Sequence, residues 1–192
     1  MRALTPVFAG LALLFAVGCS GNDAGSGDWD FAPRTADYPV QNIGTRVGSV
    51  LADHSFKTGE GADFSLDANV FKAGAKALVI ATAAEWCTAC REEAPKLQAL
   101  YDDYRSRGLE LVTTLFETAD FEAVEPRHAA AWAQLYSTTY PVVADGPFVM
   151  QAYYDPQLTP MIMVVDVQTM EIKSITTGFV EADVRALLDI LL

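Results

Sequence analysis

Two cysteines separated by two residues, Cys87 and Cys90, lie in the stretch Ala84-Glu85-Trp86-Cys87-Thr88-Ala89-Cys90-Arg91-Glu92-Glu93-Ala94-Pro95. An apolar run precedes them and a helical period follows, so one sulfur is expected at a helix N-terminus and the other a turn inside it. Unpaired N–H groups and the positive end of the helix dipole stabilise a thiolate over a thiol, which would make Cys87 the more acidic, exposed and nucleophilic sulfur. Cys90, facing inward, would then attack a mixed disulfide formed at Cys87 and release the bound partner. The spacing reads as a two-electron thiol-disulfide centre. Two other uses of such a pair stay open. A structural zinc needs four ligands, and with no second pair of this spacing and only two histidines in the chain the remaining ligands are hard to find. A purely structural disulfide across a two-residue loop is geometrically tight and tends to be labile.

The residues Trp86-Cys87-Thr88-Ala89-Cys90, the preceding run Ala77-Leu78-Val79-Ile80-Ala81 and the distant Thr159-Pro160 resemble the thioredoxin superfamily. Glu93, three residues after Cys90 and followed by Ala94-Pro95, resembles the exported TlpA- and ResA-like branch, which is redoxin-like and related to the AhpC/TSA type. The resemblance runs from about Val47 to Leu192. It implies an α/β, thioredoxin-like fold: a central mixed β-sheet flanked by helices, with an N-terminal β-hairpin extension. It also implies thiol-disulfide oxidoreductase activity, with Cys87 as nucleophile, Cys90 as resolving thiol and Glu93 beside them. A carboxylate there would raise a thiol pKa or carry its proton, whereas Glu92 next door favours a plain solvated helix face. Thr159-Pro160 occupies the family's cis-proline position, where the backbone of the preceding residue pairs with a bound substrate strand, and Trp86 would shield one side of the site. The partners implied are protein thiols and disulfides of the cell envelope and an upstream thiol-disulfide electron donor, with no cofactor and no metal.

Two departures from cytoplasmic thioredoxin stand out. Ala81 falls where thioredoxin carries a buried Asp, leaving Glu93 as the nearby carboxylate suggested by the motif. The dipeptide between the cysteines is Thr88-Ala89 rather than Gly-Pro, so the reduction potential is open over a range of about −120 to −270 mV.

The third cysteine, Cys19, has its own context. Ala3 to Val17 is a short apolar run behind Arg2, too short for a comfortable membrane span, and it ends in Ala16-Val17-Gly18-Cys19-Ser20, which looks like a bacterial lipobox. The expected division is a lipoprotein signal peptide over 1–18, a flexible tether over 19–45 beginning at the lipidated Cys19, and a thioredoxin-like domain over 46–192. The tether is rich in Gly, Ser, Asp, Asn and Pro, interrupted by Trp29 and Phe31. The mature chain would then be exported and lipid-anchored to a bacterial membrane, in an oxidising or mixed compartment. A net charge of −12 argues against nucleic acid, or an anionic membrane surface, as a direct partner.

The remaining elements must position the thiols. Ser49 to Phe56 reads as an edge strand and Asp63 to Leu66 as its return; Lys76 to Thr82 is a strand buried on both faces, delivering Cys87 to its carboxyl end. A helix from Cys90 to about Arg107 carries Ala94, Leu97, Leu100, Tyr101 and Tyr104 inward, with a kink at Pro95 and a stop at Gly108. Leu109 to Phe116 is a second central strand. Arg127 to Tyr136 is helical, with Trp132 and Leu135 on the sheet. Pro141 to Asp145 is a short strand, Phe148 to Tyr154 a helical turn, Met161 to Asp166 and Glu171 to Thr176 a hairpin, and Val184 to Leu191 a final helix. His54 and His128 read as structural or solvated histidines. A thiol peroxidase of the AhpC/TSA type is an alternative, but its usual Pro, Thr and Cys pattern is absent around Ala83 to Cys87. A redox-linked copper carrier using Met150, Met161 and Met163 is another, although Met beside a buried strand usually fills core.

Overall fold

Strand β3, Ala77–Ala84, is buried at every one of its residues, and the sheet is built outward from it. The computed structural model describes residues 32–192. The signal segment 1–18, the lipidation candidate Cys19, Trp29 and Phe31 lie outside the described residues. In chain order the strands are β1 (Ser55–Thr58), β2 (Asp63–Ser65), β3, β4 (Leu109–Glu117), β5 (Val142–Ala144), β6 (Met161–Asp166) and β7 (Glu171–Thr177). The helices are α1 (Thr88–Tyr104), α2 (Pro126–Tyr136) and α3 (Glu181–Leu191). One seven-stranded sheet has the order β2-β1-β5-β4-β3-β6-β7. β3, β4 and β5 are parallel, while β6, β7 and the β1-β2 hairpin pair antiparallel, so the sheet is mixed as expected.

Strict alternation along β3 sorts its side chains onto two cores, as the twofold period of a strand requires. Ala77, Val79, Ala81 and Ala83 face a core completed by Leu97, Leu100 and Tyr101 of α1, Trp132 of α2, and Val184 and Leu188 of α3. Leu78 and Ile80 face the opposite core, made by Leu51, Val70, Phe71, Met150, Tyr153 and the neighbouring strands. The inward residues of α1 are those its apolar period indicates, and the helix runs unbroken through Pro95. A short 3₁₀ turn, Arg105–Arg107, ends it at Gly108. Gly108 has φ +117°, a backbone conformation that favours glycine, and a Cβ there would sit close against the Lys76 side chain, at 3.0 Å.

Three expectations need correction. The edge strand expected over Ser49 to Phe56 is split. Residues 49–51 bond to Met170 and Ile172 at one side of the sheet, whereas β1 pairs with β2 and β5 at the other. Leu51 and Phe56 are both buried in the same core yet five residues apart, an odd spacing that one extended strand would put on opposite faces. The tether expected over 19–45 is bound to the domain from Arg34 onward: Arg34 donates to the Phe71 carbonyl at 2.8 Å, and Asn42 to the Gly48 carbonyl at 3.1 Å. Leu135 is 71% exposed rather than packed on the sheet, because Ala129 and Trp132 define the buried stripe of α2 and position 135 lies off it.

Candidate thiol-disulfide site

Parallel strands β3, β4 and β5 end on the same side of the sheet, and α1 starts there. That is where sites gather in open α/β sheets. Cys87 is the N-cap of α1: its backbone is extended, and its Sγ accepts a hydrogen bond from the Cys90 N–H at 3.0 Å. Cys90 lies within the first turn. The two sulfurs are joined as a disulfide, with the Cα atoms 5.3 Å apart. The expected exposure of Cys87 is not found: in the disulfide-bonded pair each cysteine is only 4% exposed, within the core formed by α1 and the sheet.

The surroundings of the two sulfurs differ. Cys87 Sγ faces a backbone donor, while Cys90 Sγ sits 3.9 Å from the Thr82 carbonyl oxygen, an acceptor awaiting a thiol hydrogen. Cys90 also borders a cavity that Glu93, Ala81, Trp132 and Pro160 help to line, with room for about one water. Glu93 is half-buried. Its Oε1 accepts from the Phe179 N–H at 2.9 Å, and its buried Oε2 has no protein partner; the buried Trp132 Nε1, on the same cavity, has none either. Burial raises the Glu93 pKa above the usual carboxylate range, against the lowering by the Phe179 hydrogen bond and by Lys96. Ala81, in place of an acid, contributes only a methyl group to the wall, and Glu92 is exposed.

The peptide Thr159-Pro160 is cis, in agreement with the expectation, and Pro160 shares the cavity with Cys90. The strand leaving it is tied to the thiol side of the sheet by Thr82, whose Oγ1 accepts from the Met161 N–H at 2.8 Å. Trp86 donates from Nε1 to Glu117 Oε2 at 2.7 Å and stacks on Phe121. The structure thus brings Trp86, Cys87, Cys90, Glu93, Thr159 and Pro160 to one end of the sheet. Sequence reasoning missed Thr82, Glu117, Phe121 and Tyr154, whose hydroxyl lies 3.3 Å from Thr159 Oγ1.

His54 and His128 lie outside this constellation. His54 Nε2 is 2.7 Å from the Tyr153 hydroxyl, with its pKa lowered by burial against the raising effect of Asp53; His128 Nδ1 accepts from the Glu125 N–H in the N-terminal capping box of α2. Met150, Met161 and Met163 are buried in the core on the sheet face opposite the disulfide core. Among the described residues no group of three or more His, Cys, Asp or Glu is placed to hold a metal ion, and no helix is long and apolar enough to cross a membrane.

Comparison with known proteins places this geometry. The family model described as "AhpC/TSA family" matches residues 47–170, more than half of the chain. Thioredoxin-like protein YneN of Bacillus subtilis (strain 168) is 28% identical over 137 residues, covering 71% of this chain and 70% of that protein. Among solved structures, a thiol:disulfide interchange protein of the thioredoxin family from Chlorobium tepidum aligns with a TM-score of 0.59 at 21% identity, covering 78% of this chain and 99% of that one. A secreted Mycobacterium tuberculosis disulfide oxidoreductase homologous to E. coli DsbE aligns with a TM-score of 0.56 at 15% identity, covering 72% and 96%. These likenesses establish a thioredoxin-like α/β fold.

Proposed function

The chain belongs to the AhpC/TSA family, and on that footing we propose that it is a thiol-disulfide oxidoreductase with Cys87 as nucleophile and Cys90 as resolving thiol. The observation that carries this reading is the unequal environment of the two sulfurs. A backbone donor at the helix N-terminus favours a thiolate on Cys87. The Thr82 carbonyl and the Glu93 carboxyl favour a protonated thiol on Cys90.

In the reductive direction the Cys87 thiolate attacks one sulfur of a partner disulfide, and the partner's other sulfur leaves as a thiolate that takes up a proton. The partner is then held by a Cys87 mixed disulfide. Cys90 gives its proton to Glu93, whose raised pKa brings it closer to that of a thiol, directly or through one water in the shared cavity. The Cys90 thiolate attacks Cys87 Sγ, the partner leaves with its second thiol, and the Cys87–Cys90 disulfide remains. Two electrons have passed to the partner, and an upstream thiol-disulfide donor returns the pair to its reduced state. Thr159, before Pro160, offers its backbone to the substrate strand, and Trp86 screens the sulfur from one side.

On this proposal residues 1–18 are a lipoprotein signal, Cys19 takes the lipid and the following segment is a tether, so that the domain works on protein thiols and disulfides at the periplasmic or extracytoplasmic face of a bacterial membrane. Metabolic labelling with a fatty acid, lost in Cys19→Ser, tests that part. For the chemistry, Cys90→Ser is expected to accumulate a mixed disulfide with its partner, and Cys87→Ser to lose disulfide exchange. A fully active Cys87→Ser protein overturns the mechanism.

Membership of the AhpC/TSA family also raises peroxide reduction as a second reading. The stretch Ala83-Ala84-Glu85-Trp86-Cys87 lacks the Pro, Thr and Cys pattern of that activity, which ranks it second. Peroxide consumption by the reduced protein, faster than its exchange with a disulfide, would reverse the order.

A further inference from the structure

Phe121 is a large apolar residue, 69% exposed, held in a backbone conformation that suits glycine or asparagine. Its φ is +61°. The loop that carries it, between β4 and α2, is bonded internally: Thr118 N–H donates to the Glu122 carbonyl at 2.8 Å, Phe121 N–H to the Thr118 carbonyl at 3.1 Å, and Glu122 N–H to Thr118 Oγ1 at 3.1 Å. Ala119 N–H donates to Glu85 Oε2 at 3.1 Å, which fastens the loop to the residue preceding Trp86. A ring this exposed adds little to the core. What it does is stack on Trp86, with centroids 5.9 Å apart and planes at 27°.

The stack begins a lane of rings. Trp86 meets Phe116 edge-on at 6.3 Å; Phe116 lies parallel to Phe148 at 3.9 Å; Phe148 meets Tyr154 edge-on at 6.2 Å; and Tyr154 reaches Thr159 beside the cis-proline. Phe148, like Phe121, has a positive φ, of 54°, and the buried Asp145 secures its segment by accepting from the Val149 and Met150 N–H groups. Two phenylalanines thus occupy strained backbone positions, and both contribute rings to one lane. Such conformations persist where the surrounding structure fixes them. The two segments that carry Trp86 and Phe121 hold charge of one sign: Glu85, Glu117, Asp120 and Glu122 lie in them, and no Lys or Arg occurs between Lys76 and Arg91 or between Arg107 and Arg127.

We propose that Phe121 and Trp86 form a specificity site for the partner polypeptide, receiving an aromatic or large apolar side chain next to the partner's reacting cysteine, with a Lys or Arg of the partner against the acidic loop. This rests on the oxidoreductase reading and adds the chemistry of the segment it selects. Stacking supplies the apolar preference, and the four carboxylates supply charge complementarity.

The test uses the reduced full chain and short peptides whose single cysteine is in a mixed disulfide with thionitrobenzoate. Cys87 attacks the peptide sulfur, coloured thionitrobenzoate leaves as a thiolate, and Cys90 then displaces the peptide thiol to close the protein disulfide. Three peptides are compared: Phe before and Lys after the cysteine, Ser before and Lys after, and Phe before and Glu after. For wild type, the second-order rate constant of single-turnover thionitrobenzoate release from the Phe peptide is expected to exceed that from the Ser peptide about two- to tenfold. Phe121→Ala should bring that ratio close to one, and Phe121→Trp should restore it. The preference for Lys over Glu should weaken with added salt. Equal Phe-to-Ser ratios in wild type and Phe121→Ala overturn the specificity site while leaving the redox chemistry standing. No thionitrobenzoate release from any peptide, by any of the proteins, overturns the oxidoreductase reading and this inference with it.

Discussion

Glu93 accepts a hydrogen bond from the Phe179 backbone N–H at 2.9 Å, across 86 residues of sequence, and so joins α1 to the loop that leads into α3. One carboxyl oxygen is committed to that structural bond, and the other, buried and without a protein partner, belongs to a residue that lines the cavity beside Cys90. The two functions can be separated by mutation.

Glu93→Gln keeps an oxygen for the Phe179 N–H and removes the proton acceptor. Release of the partner by Cys90 is expected to slow by about 10²-fold near neutral pH, with its pH profile moving up toward that of the unassisted thiol. Stopped-flow fluorescence of a preformed mixed disulfide would measure it; an unmoved pH profile removes Glu93 from the proton path. Glu93→Ala should additionally lower thermal stability, because the half-buried Phe179 N–H loses its partner.

Thr82→Val conserves shape but deletes the oxygen that accepts from the buried Met161 N–H. Leaving that donor unpaired should cost about 1–3 kcal/mol in urea unfolding. Unchanged stability would mean that the bond does not hold the cis-proline strand to β3.

Glu110 gives a pH prediction. It is fully buried near the start of β4, with one oxygen accepting from the Leu111 N–H at 3.0 Å and the other unpartnered, and burial pushes its pKa up to about 8. A carboxyl group whose folded pKa is raised binds more protons in the folded state. Its contribution to stability is therefore complete below the ordinary value of 4.5 and is lost as pH rises toward about 8. Relative to Glu110→Gln, wild type should lose up to about 1.4 kcal/mol per pH unit across that window. Parallel stability curves for the two proteins from pH 5 to 8 would contradict the burial of an ionisable group there.

The thiol centre is readable from sequence because its determinants are local. The apolar strand, the Cys87–Cys90 spacing and the helical period behind them fall within 28 consecutive residues, Ala77 to Tyr104, and the buried side of α1 follows that period residue by residue. Thr159-Pro160 was found through family likeness, since nothing in its immediate neighbours indicates a cis bond. Other parts were not legible, for physical reasons. The Thr82–Met161 bond spans 79 residues, and the Trp86–Phe121 stack joins two separate loops; neither leaves a local pattern. Ser49 to Phe56 looked like one strand because its apolar residues are dense, although Leu51 and Phe56 have the wrong parity for a shared face. A position at a helix N-terminus implies acidity for the Cys87 thiol but does not by itself imply solvent access. In the fold the sulfur caps the helix and Cys87 is nevertheless buried in the core beneath it.

The most direct test is a redox titration of the full chain in glutathione buffers, scoring the Cys87–Cys90 disulfide against free thiols by alkylation and mass. A reversible two-electron centre predicts a tenfold change in the oxidised-to-reduced ratio for every 30 mV or so, about a midpoint between roughly −120 and −270 mV, and no such titration in Cys87→Ser. A pair that stays oxidised through that whole range, or that never closes, would contradict the account and leave Cys87 and Cys90 as a structural bond or as ligands instead.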